Sequence, residues 1–575
     1  MRVFFAKGLS ALIWILFFAV GLMIVTGGGR VRISQGVVLE FSSVDLWAWA
    51  CVLLVALYSW LFHGKNHGAS LLLGRAIEWF LNPAQSRRAL VAFFGLVFGG
   101  LFFAHCLKHL SFRTDMSDMT FLHQALFYPF SNPIFQCDFC PDRSYLGSHL
   151  AFSLGLPGLV TGWFQSDVLV FMIQVLLLAA PLLIGFKWGP LKARPESWFW
   201  VGFIILCSRS LRNSLVWDFR EDHLIFAFLL GACLSLYFSR ILYFIVFLVL
   251  ALLSKENVAW IALFLVFPIL MEKKITLSRI GRWKLAGAVL GVCVAWGFFS
   301  FRVLIPHFSG AMEKVMDIPR RFPGLGSTPQ EVLTRILFSP AVWWMLLKTK
   351  LFNFLAIKYL VLLLGPFVFF ARRGWVWLLP VFPGLAMNLL SGMGTQRSME
   401  FHYDLVIFPF LTMALWVGVE RLLANGIPRK TWMFAVVLAL CLSGRWPAFY
   451  VHSFWPTQEE ASAAADLRRV EGGAATAASS RVLAHLSSLP QLVKIEEPRV
   501  LDWGSFWQAN LSAGGASRFI WDQTQEWQKQ MGQEFLKRGA RDITVETFGH
   551  RAERFLISTG VDRASEELSH PLHSQ

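Results

Sequence analysis

Residues capable of chemistry gather in one short stretch, FRTDMSDMTFLHQALFYPF at 112–130, between two long apolar runs. Asp115 and Asp118 are three residues apart, so on a helix the two carboxylates would share one face. Such a pair at a membrane surface could act as a general base or hold a divalent cation through its oxygens. The alternative is that both aspartates are merely solvated in a water-facing loop. The apolar residues that follow predict a helix whose stripe lies on the bilayer surface.

A histidine begins the next apolar run, in the segment SYLGSHLAFSLGLPGL. His149 would sit at a helix mouth facing the aspartate loop, where an imidazole is a candidate general acid or base, or a cation contact. A hydrogen-bonded histidine at the membrane interface would fit the same pattern. The candidate catalytic residues are therefore Asp118, Asp115 and His149, and the sequence does not decide whether a metal is bound.

Charged residues interrupt the apolar runs at three further points, in SRSLRNSLVWDFREDHLIF, LLSKENVAW and TQRSMEFHYDLVIFPFL. An ionisable group at membrane depth costs about 2.5–3.5 kcal/mol, so these groups must be paired, functional or at a membrane surface. Arginine and lysine near the interface suit an anionic lipid head group, especially a phosphate. Topogenic or snorkelling charge is the alternative. The candidate substrate-binding residues are Gln124, Arg209, Arg212, Asp218, Lys255, Glu256, Arg397, His402 and Tyr403.

Transmembrane helices are the elements that must position these residues. The 575-residue chain is 56% hydrophobic and only 15% charged, whereas about a quarter of the residues in soluble domains are charged. At about 20 residues per span, the apolar runs from residue 9 to residue 445 predict roughly 11–14 transmembrane helices. The first run has no A-x-A-like cleavage site, so we expect a retained helix. The sequence predicts an α-helical polytopic membrane protein.

The formal net charge of +16 does not indicate a nucleic-acid partner. The whole excess of Lys and Arg lies in the first 450 residues, in short loops such as 87–88, 273–274 and 372–373, which is typical of cytoplasmic loops. Anionic membrane lipid is the expected partner of these charges, and the sequence identifies no protein partner. We expect a cytoplasmic N-terminus, an extracytoplasmic loop at 108–148 and insertion in the bacterial inner membrane.

Two of the eight cysteines, Cys137 and Cys140, form a CDFC sequence in the outer loop. In an oxidising compartment they could form a disulfide, or they could remain thiols. A metal site would need two more ligands, for which Asp138, Asp142 and His149 are candidates. The other six cysteines lie singly in apolar runs and are typical of buried packing residues.

The chain is predicted to have three parts. Residues 1–88 hold two N-terminal transmembrane helices, near 9–27 and 45–63, and residues 89–445 form the multi-span domain that carries the motifs. Residues 446–575 are polar and predict a small soluble α/β domain, which we expect on the outer side. Within it, ASSRVLAHLSSL and WDQTQEWQKQMGQEFLKRG are predicted helices, while PRVLDW and RDITVETF are predicted strands.

A second large loop, at 306–349, contains the sequence GLGSTPQEVLTRIL. Its periodicity predicts a helix with Thr328 as N-cap and Pro329 at the first helical position. Neighbouring tryptophans favour a helix lying on the membrane, and a plain surface helix is the alternative.

Together these segments resemble one family, the multi-span membrane proteins of domain of unknown function 2079. That family shows an aspartate six residues before a glutamine, then a histidine leading the next helix. A DFH-like segment, a Lys-Glu pair, a glycine turn before a Pro-Glu helix and a His-Tyr pair follow in order. The matching residues are Asp118 and Gln124, His149, Asp218 and Phe219, Lys255 and Glu256, GLGSTPQEVL, and His402 and Tyr403. Arg220 replaces a family histidine, and His123 replaces a family acid.

The layout of that family is similar to the GT-C membrane glycosyltransferases, which use polyprenyl-phosphate-linked sugar donors. The resemblance implies that Asp118 or Asp115 is the general base for an acceptor hydroxyl, which attacks the anomeric carbon as polyprenyl phosphate leaves. It implies that His149 assists or contacts a divalent cation. The implied ligands of the leaving phosphate are Arg209, Arg212, Lys255 or Arg397. A lipid or solute transporter or flippase, or a non-catalytic membrane scaffold, is the alternative.

Overall fold

The fold is known from a computed structural model of the chain. The structure describes residues 11–13, 15, 29–34, 37–41, 54, 83–114, 116–188, 195–309, 321–327, 329–425, 439, 454–467, 476–489, 491–495, 518–522, 546–548 and 555–559. The helices predicted near 9–27 and 45–63 lie almost wholly outside these residues, as do Asp115, Thr328 and the PRVLDW strand. A short hairpin, β1 Gly29–Ser34 and β2 Val37–Phe41, lies between the two predicted N-terminal helices.

Helices make up most of the described part, as predicted. The first ten are α1 Pro83–Leu110, α2 Met116–Phe127, α3 Gly155–Phe164, α4 Asp167–Trp188, α5 Pro195–Leu206, α6 Arg209–Val216, α7 Glu221–Tyr237, α8 Ile241–Leu252, α9 Val258–Ala262 and α10 Val266–Met271. The next seven are α11 Arg279–Phe299, α12 Ile305–Ser309, α13 Pro329–Phe338, α14 Pro340–Leu346, α15 Phe354–Ala371, α16 Val381–Leu390 and α17 Phe408–Ala424. Helix α13 confirms the helix predicted from STPQEVL, with Pro329 as its first residue.

Two helical segments of the described part, Arg279–Ser309 and Phe354–Leu378, are long and apolar enough to cross a membrane. Shorter apolar helices of 10–17 residues occur at 94–110, 152–164, 167–183, 241–252, 258–271 and 381–390. A straight helix needs about 20 residues to cross a hydrocarbon core of about 30 Å. The total of roughly 11–14 spans therefore stays a prediction.

Helix α7 lies at the centre of the bundle, and all 17 of its residues are buried. It packs against α4, α8 and α17. Helix α17 in turn packs closely against α15, because Gly418 leaves room for the α15 backbone. A Cβ at Gly418 would overlap the carbonyl oxygen of Phe370. This close packing around α7 fixes the relative positions of the helix ends that carry the polar residues.

The predicted placement of α2 on the bilayer surface is wrong. Its apolar residues Leu122, Ala125 and Leu126 are fully buried, and so are His123 and Gln124. The helix packs against α3 instead of lipid. The same apolar stripe fits either partner, so the pattern alone could not tell lipid from protein.

The C-terminal part contains α18 Gln458–Leu467, α19 Ser480–Leu483 and a five-stranded sheet. Its strands are β3 Thr476–Ser479, β4 Leu492–Ile495, β5 Arg518–Asp522, β6 Glu546–Phe548 and β7 Phe555–Thr559, in the order β4-β3-β5-β7-β6. Strand β3 is parallel to β4 and β5, and β7 is antiparallel to β5 and β6. A separate α/β domain at 446–575 remains a prediction.

Two of the predicted C-terminal elements need correction. The predicted helix ASSRVLAHLSSL begins as strand β3, and its helical part covers only α19. The first two residues of WDQTQEWQKQMGQEFLKRG end strand β5 instead of starting a helix. The strand predicted from RDITVETF is confirmed at β6. Alanine favours a helix over a strand, so the pairing of β3 with β4 and β5 overrides the local propensity of the first segment.

The C-terminal residues pack directly on the first large loop and on α2. Gln124 Nε2 donates a hydrogen bond to the Leu489 carbonyl at 3.1 Å, and the Leu492 amide donates to Asp138 Oδ2 at 2.9 Å. Leu483, Leu486 and Leu489 belong to an apolar cluster with Phe112. The sheet therefore lies at the same end of the helices as loop 108–148.

Candidate functional site

A buried group of ion pairs centres on Lys255. Its ammonium lies 2.6 Å from Glu221 Oε1 and donates a hydrogen bond to Asp222 Oδ2 at 3.0 Å. The three side chains are 9%, 0% and 6% exposed. Burial alone would lower the pKa of Lys255, but Asp222 and Glu221 outweigh it and raise that pKa above its usual value. Lys255 is therefore a fixed positive charge between two carboxylates.

His149 and Glu256 form the more accessible edge of this group. His149 Nδ1 lies 3.2 Å from Glu256 Oε1, and His149 Nε2 lies 3.8 Å from Glu221 Oε1. Burial would raise the pKa of Glu256, but His149 and then Lys255 lower it below its usual value. The side chains of His149 and Glu256 are 18% and 11% exposed, whereas Glu221 is fully buried. A carboxylate-oriented imidazole is thus the part that solvent can reach.

Three more side chains complete the group. Tyr145 Oη donates a hydrogen bond to Glu221 Oε2 at 2.6 Å, and Arg220 Nε lies 3.4 Å from the same oxygen. His402 Nε2 lies 3.5 Å from Asp222 Oδ2. Burial, followed by the charge of Glu221, raises the pKa of Tyr145 well above its usual value, so the phenol stays a donor. We call the following residues the charged network: Tyr145, His149, Arg220, Glu221, Asp222, Lys255, Glu256 and His402.

Four chain segments bring the charged network together at one end of the bundle, and the first is the loop before α3, which carries Tyr145 and His149. Glu221 and Asp222 form the first turn of α7, where the helix dipole favours carboxylates. Lys255 and Glu256 lie in the turn between α8 and α9. His402 lies in the short 3-10 helix that precedes α17. The sequence pattern predicted these polar segments at the ends of helices, and the structure shows that these helix ends lie next to one another.

Asp404 extends the polar region, two residues beyond His402. Asp404 Oδ1 accepts hydrogen bonds from Tyr359 Oη at 2.6 Å and from Asn388 Nδ2 at 2.8 Å, and Ser210 Oγ donates to Oδ2. Burial raises the pKa of Asp404 to about 6, although these three donors act in the opposite direction. This carboxyl therefore titrates near neutral pH and is held in place by three neighbouring elements.

Several predicted site residues serve other contacts. Asp218 Oδ1 accepts a hydrogen bond from Lys108 Nζ of α1 at 2.7 Å, and both residues are buried. Gln124 Nε2 donates to Asp138 Oδ2 at 2.7 Å and so links α2 to the loop that carries the cysteines. Arg209 Nη2 lies 3.3 Å from Glu400 Oε1. None of these contacts joins the charged network.

Four more predicted residues, Arg212, Tyr403, Asp118 and Asp115, also lie outside the charged network or beyond what the structure describes. Arg212 Nη1 donates to the Leu206 carbonyl at 2.7 Å, while the Tyr403 ring lies 4.6 Å from the His402 ring between centroids. Asp118 lies on α2, but its side chain is not among those the structure describes, and Asp115 lies outside the described residues. The structure therefore unites four of the predicted residues in the charged network: His149, Lys255, Glu256 and His402.

Sequence reasoning missed five residues as site candidates: Tyr145, Arg220, Glu221, Asp222 and Asp404. Arg220, Glu221 and Asp222 stood out as part of one charged cluster in the sequence, and Asp404 as part of another, but no role could be assigned to them. The useful signal was present in DFREDH, because three acids and an arginine directly before an apolar run need partners.

The loop at 108–148 holds a disulfide between Cys137 and Cys140, which removes both sulfurs from the alternative of metal ligation. Asp138, a further candidate ligand, accepts hydrogen bonds from Gln124 and from Arg143 Nη2. Across the described ranges, no three His, Cys, Asp or Glu side chains are arranged to hold a metal ion. In the charged network, the carboxylates of Glu221 and Asp222 already pair with Lys255, and we derive no reaction step through a metal.

A second polar cluster lies at the opposite end of α7. Tyr237 Oη and Lys274 Nζ each donate to Glu420 Oε2 at 2.7 Å, and Arg421 Nη2 lies 3.3 Å from Glu272 Oε1. Helix α7 has 17 residues, which separates the two polar ends by about 25 Å. An apolar layer between two polar ends is typical of a protein that crosses a bilayer.

The fold and site thus define a helical protein that, in its described part, has two helical segments long and apolar enough to cross a membrane and a buried charged network at one end. The family model described as a predicted membrane protein, DUF2079, matches residues 116–495, and the chain belongs to that family. The matched range contains the whole charged network, and it confirms the family suggested by the sequence motifs. A search of curated proteins finds no match.

Proposed function

We propose that the protein is a membrane glycosyltransferase that uses a polyprenyl-phosphate-linked sugar at the extracytoplasmic face. The observation that supports this proposal best is the charged network. It combines an accessible histidine–carboxylate pair, His149 and Glu256, with a buried lysine fixed by two acids. Acid–base group transfer needs such a pair, held in a fixed orientation next to a site that excludes most water.

In the proposed reaction, His149 takes the proton from an acceptor hydroxyl while Glu256 orients the imidazole through Nδ1. The hydroxyl oxygen forms a bond to the anomeric carbon of the sugar. The bond between that carbon and the phosphate oxygen breaks, and its electron pair leaves with polyprenyl phosphate. Positioned proton transfer of this kind contributes about 10²–10⁴-fold to rates. Asp118 remains the base that the family resemblance implies, in which case His149 assists it.

Charge distribution supports an outward-facing site. The cluster of Lys274, Glu420, Arg421 and Glu272 lies at the end of α7 opposite the charged network. Arg421 also donates to the Arg373 carbonyl, so the basic loop after α15 lies at that end. Basic loops favour the cytoplasm, which would place the charged network and the C-terminal sheet outside the inner membrane.

Exposed apolar side chains support a larger number of membrane-spanning helices. Leu96 on α1, Trp163 on α3, Leu242 on α8 and Phe298 on α11 are all exposed. Apolar surface on so many helices is costly in water and natural in lipid. We therefore propose that the shorter helices around α7 also lie in the bilayer.

The test is turnover of radiolabelled donors by the full-length protein in lipid nanodiscs. Polyprenyl-phosphate and polyprenyl-diphosphate sugars would be compared for wild type, Glu256→Gln and a control, Glu420→Gln. Both substitutions neutralise a carboxylate, but Glu420 lies at the opposite end of α7. We expect Glu256→Gln to lose about 10²-fold or more, and Glu420→Gln to keep activity. Equal rates for all three proteins would overturn the assigned site, and no turnover of any donor would overturn the proposed reaction.

Proton-coupled transport is the second candidate, because the charged network contains titratable groups buried in a helical bundle. It predicts a pH-driven flux that depends on Glu256 and no chemical change in the donor. Reconstitution of the full-length protein in proteoliposomes would measure both the flux and the donor turnover.

A further inference from the structure

Two cations outside the charged network come together at the same end of the bundle. Lys350 lies in the π-helix Leu347–Leu351 that leads into α15, and Arg397 ends the 3-10 helix Gly394–Arg397 that follows α16. The first of these short helices contacts α16, and the second contacts α15. Burial, followed by the positive charge of Arg397, lowers the pKa of Lys350. Lys350 Nζ reaches the Ser391 carbonyl at 3.4 Å, six residues before Arg397 in the chain, so the two cations lie on adjoining segments.

Among the described residues, no acid neutralises Lys350 or Arg397. Within the described part of the chain, neither side chain forms an ion pair with a carboxylate, and Lys350 Nζ has only a long contact of 3.4 Å to the Ser391 carbonyl. Arg397 is one of the four predicted phosphate ligands, and the other three are engaged: Arg209 by Glu400, Arg212 by the Leu206 carbonyl, and Lys255 by the charged network. Two adjacent unneutralised cations form a site for an anion.

Membrane topology does not account for this pair of cations. Tyr359 of α15 binds Asp404, so the start of α15 lies at the end of the bundle that holds the charged network. The other end of α15 leads to Arg373, beside Arg421. Topogenic lysines and arginines belong at that other end. Lys350 and Arg397 lie at the opposite, proposed outer end, so a binding role explains them better.

The surroundings of Lys350 point to an anion that is attached to a lipid. Trp344, Phe352 and Phe354 flank it in the chain, and all three side chains are exposed. Exposed tryptophan and phenylalanine next to cations are typical of the membrane interface, where apolar rings meet acyl or prenyl chains. A phosphate on a membrane-embedded chain would place its charge between the cations and its chain along the rings.

We propose that Lys350 and Arg397 bind the phosphate of a polyprenyl lipid whose chain lies along Trp344, Phe352 and Phe354. The choice of a polyprenyl lipid over other anionic lipids rests on the proposed function. The site itself rests on the cation pair and the exposed rings. In the proposed reaction, this site would hold the phosphate that leaves the sugar. Arg397 precedes His402 of the charged network by five residues.

The test measures binding of radiolabelled polyprenyl phosphate to the full-length protein in nanodiscs of zwitterionic lipid. Wild type would be compared with Lys350→Ala, Arg397→Ala, the double variant and a control, Lys284→Ala. Lys284 is exposed on α11, two residues after Arg282, which donates to the Glu272 carbonyl at the opposite end of α7. We expect each single variant to bind about tenfold more weakly or worse, because each loses a charged hydrogen bond, while the control binds normally. Thermal unfolding of every variant shows whether it is folded.

Competing ligands identify what the site recognises. Unchanged affinity in a folded double variant overturns the site. Inorganic phosphate that competes as well as polyprenyl phosphate overturns the lipid part, and phosphatidylglycerol that competes equally overturns the choice of a polyprenyl lipid. Loss of binding in the double variant without glycosyl transfer by wild type supports the site and contradicts the proposed function. Transfer that requires Glu256, with normal binding in the double variant, supports the proposed function and contradicts the site.

Discussion

Replacing Lys255 by methionine tests whether the charged network is buried. Lys255 pairs with Glu221 and Asp222 at 2.6 and 3.0 Å, and the three side chains are at most 9% exposed. Methionine keeps the length and apolar stem but leaves two buried carboxylates without their cation. Removing one partner of a buried ion pair costs about 3–5 kcal/mol. We expect the free energy of unfolding to fall by about that amount.

The chain offers a matched control in Lys274→Met. Lys274 pairs with Glu420 at 2.7 Å, close to the distance in the Lys255 pairs, but the Lys274 side chain is 54% exposed. Exposed pairs contribute about 0–1 kcal/mol, so the loss should be much smaller for Lys274, which is exposed and has one partner, than for Lys255, which is buried between two. Unfolding in mixed micelles with rising dodecyl sulfate measures both variants.

A double-mutant cycle refines the comparison. Adding Glu221→Gln to Lys255→Met removes one of the stranded charges, so part of the lost stability should return as a coupling energy of about 1–3 kcal/mol. Equal, small losses for Lys255→Met and Lys274→Met would refute the reasoning, because the network would then be solvated. Absence of coupling would show that Glu221 and Lys255 do not interact.

Three further predictions concern other parts of the fold. Because the pKa of Asp404 is raised from 3.8 to about 6, its contribution to stability is full below the unfolded value and falls as pH rises to about 6, by about 3 kcal/mol. Asp404→Asn should remove that fall, which dodecyl sulfate titrations at pH values of about 4 and about 7 would detect. Gly418→Ala should lower the free energy of unfolding by about 1–3 kcal/mol, because the new Cβ would overlap the Phe370 carbonyl. Gly291→Ala is the control, since a Cβ there meets open space. Unchanged unfolding of Gly418→Ala would contradict the close packing of α15 and α17. Asp138→Asn weakens the acceptor for Gln124 and the Leu492 amide, so proteases should cleave the C-terminal part faster, and an unchanged rate would contradict the docking.

The sequence could predict part of the site because ionisable residues are costly in an apolar chain. His149, Lys255, Glu256 and His402 each interrupt or begin an apolar run, and each proves to belong to the charged network. The family match over residues 116–495 shows that these segments belong to one family domain. Neither source gives the pairing, since four separate segments meet only in three dimensions.

Pairings over long distances in sequence explain the misses. Asp218 looked like a ligand-binding residue, but it is neutralised by Lys108, 110 residues away, which reads as an ordinary helix-end cation. Gln124 contacts the Leu489 carbonyl across 365 residues. The C-terminal docking that buries Gln124 leaves no periodic signal in the sequence. Propensity and periodicity report local structure, so such partners could not be inferred.

The most direct test of the central claim is an experimental structure in nanodiscs with a polyprenyl-phosphate sugar bound. We predict that the sugar lies against His149 and Glu256, with Lys255 between Glu221 and Asp222. A donor bound away from the charged network, or a Lys255 side chain that faces lipid or bulk water, would contradict the account.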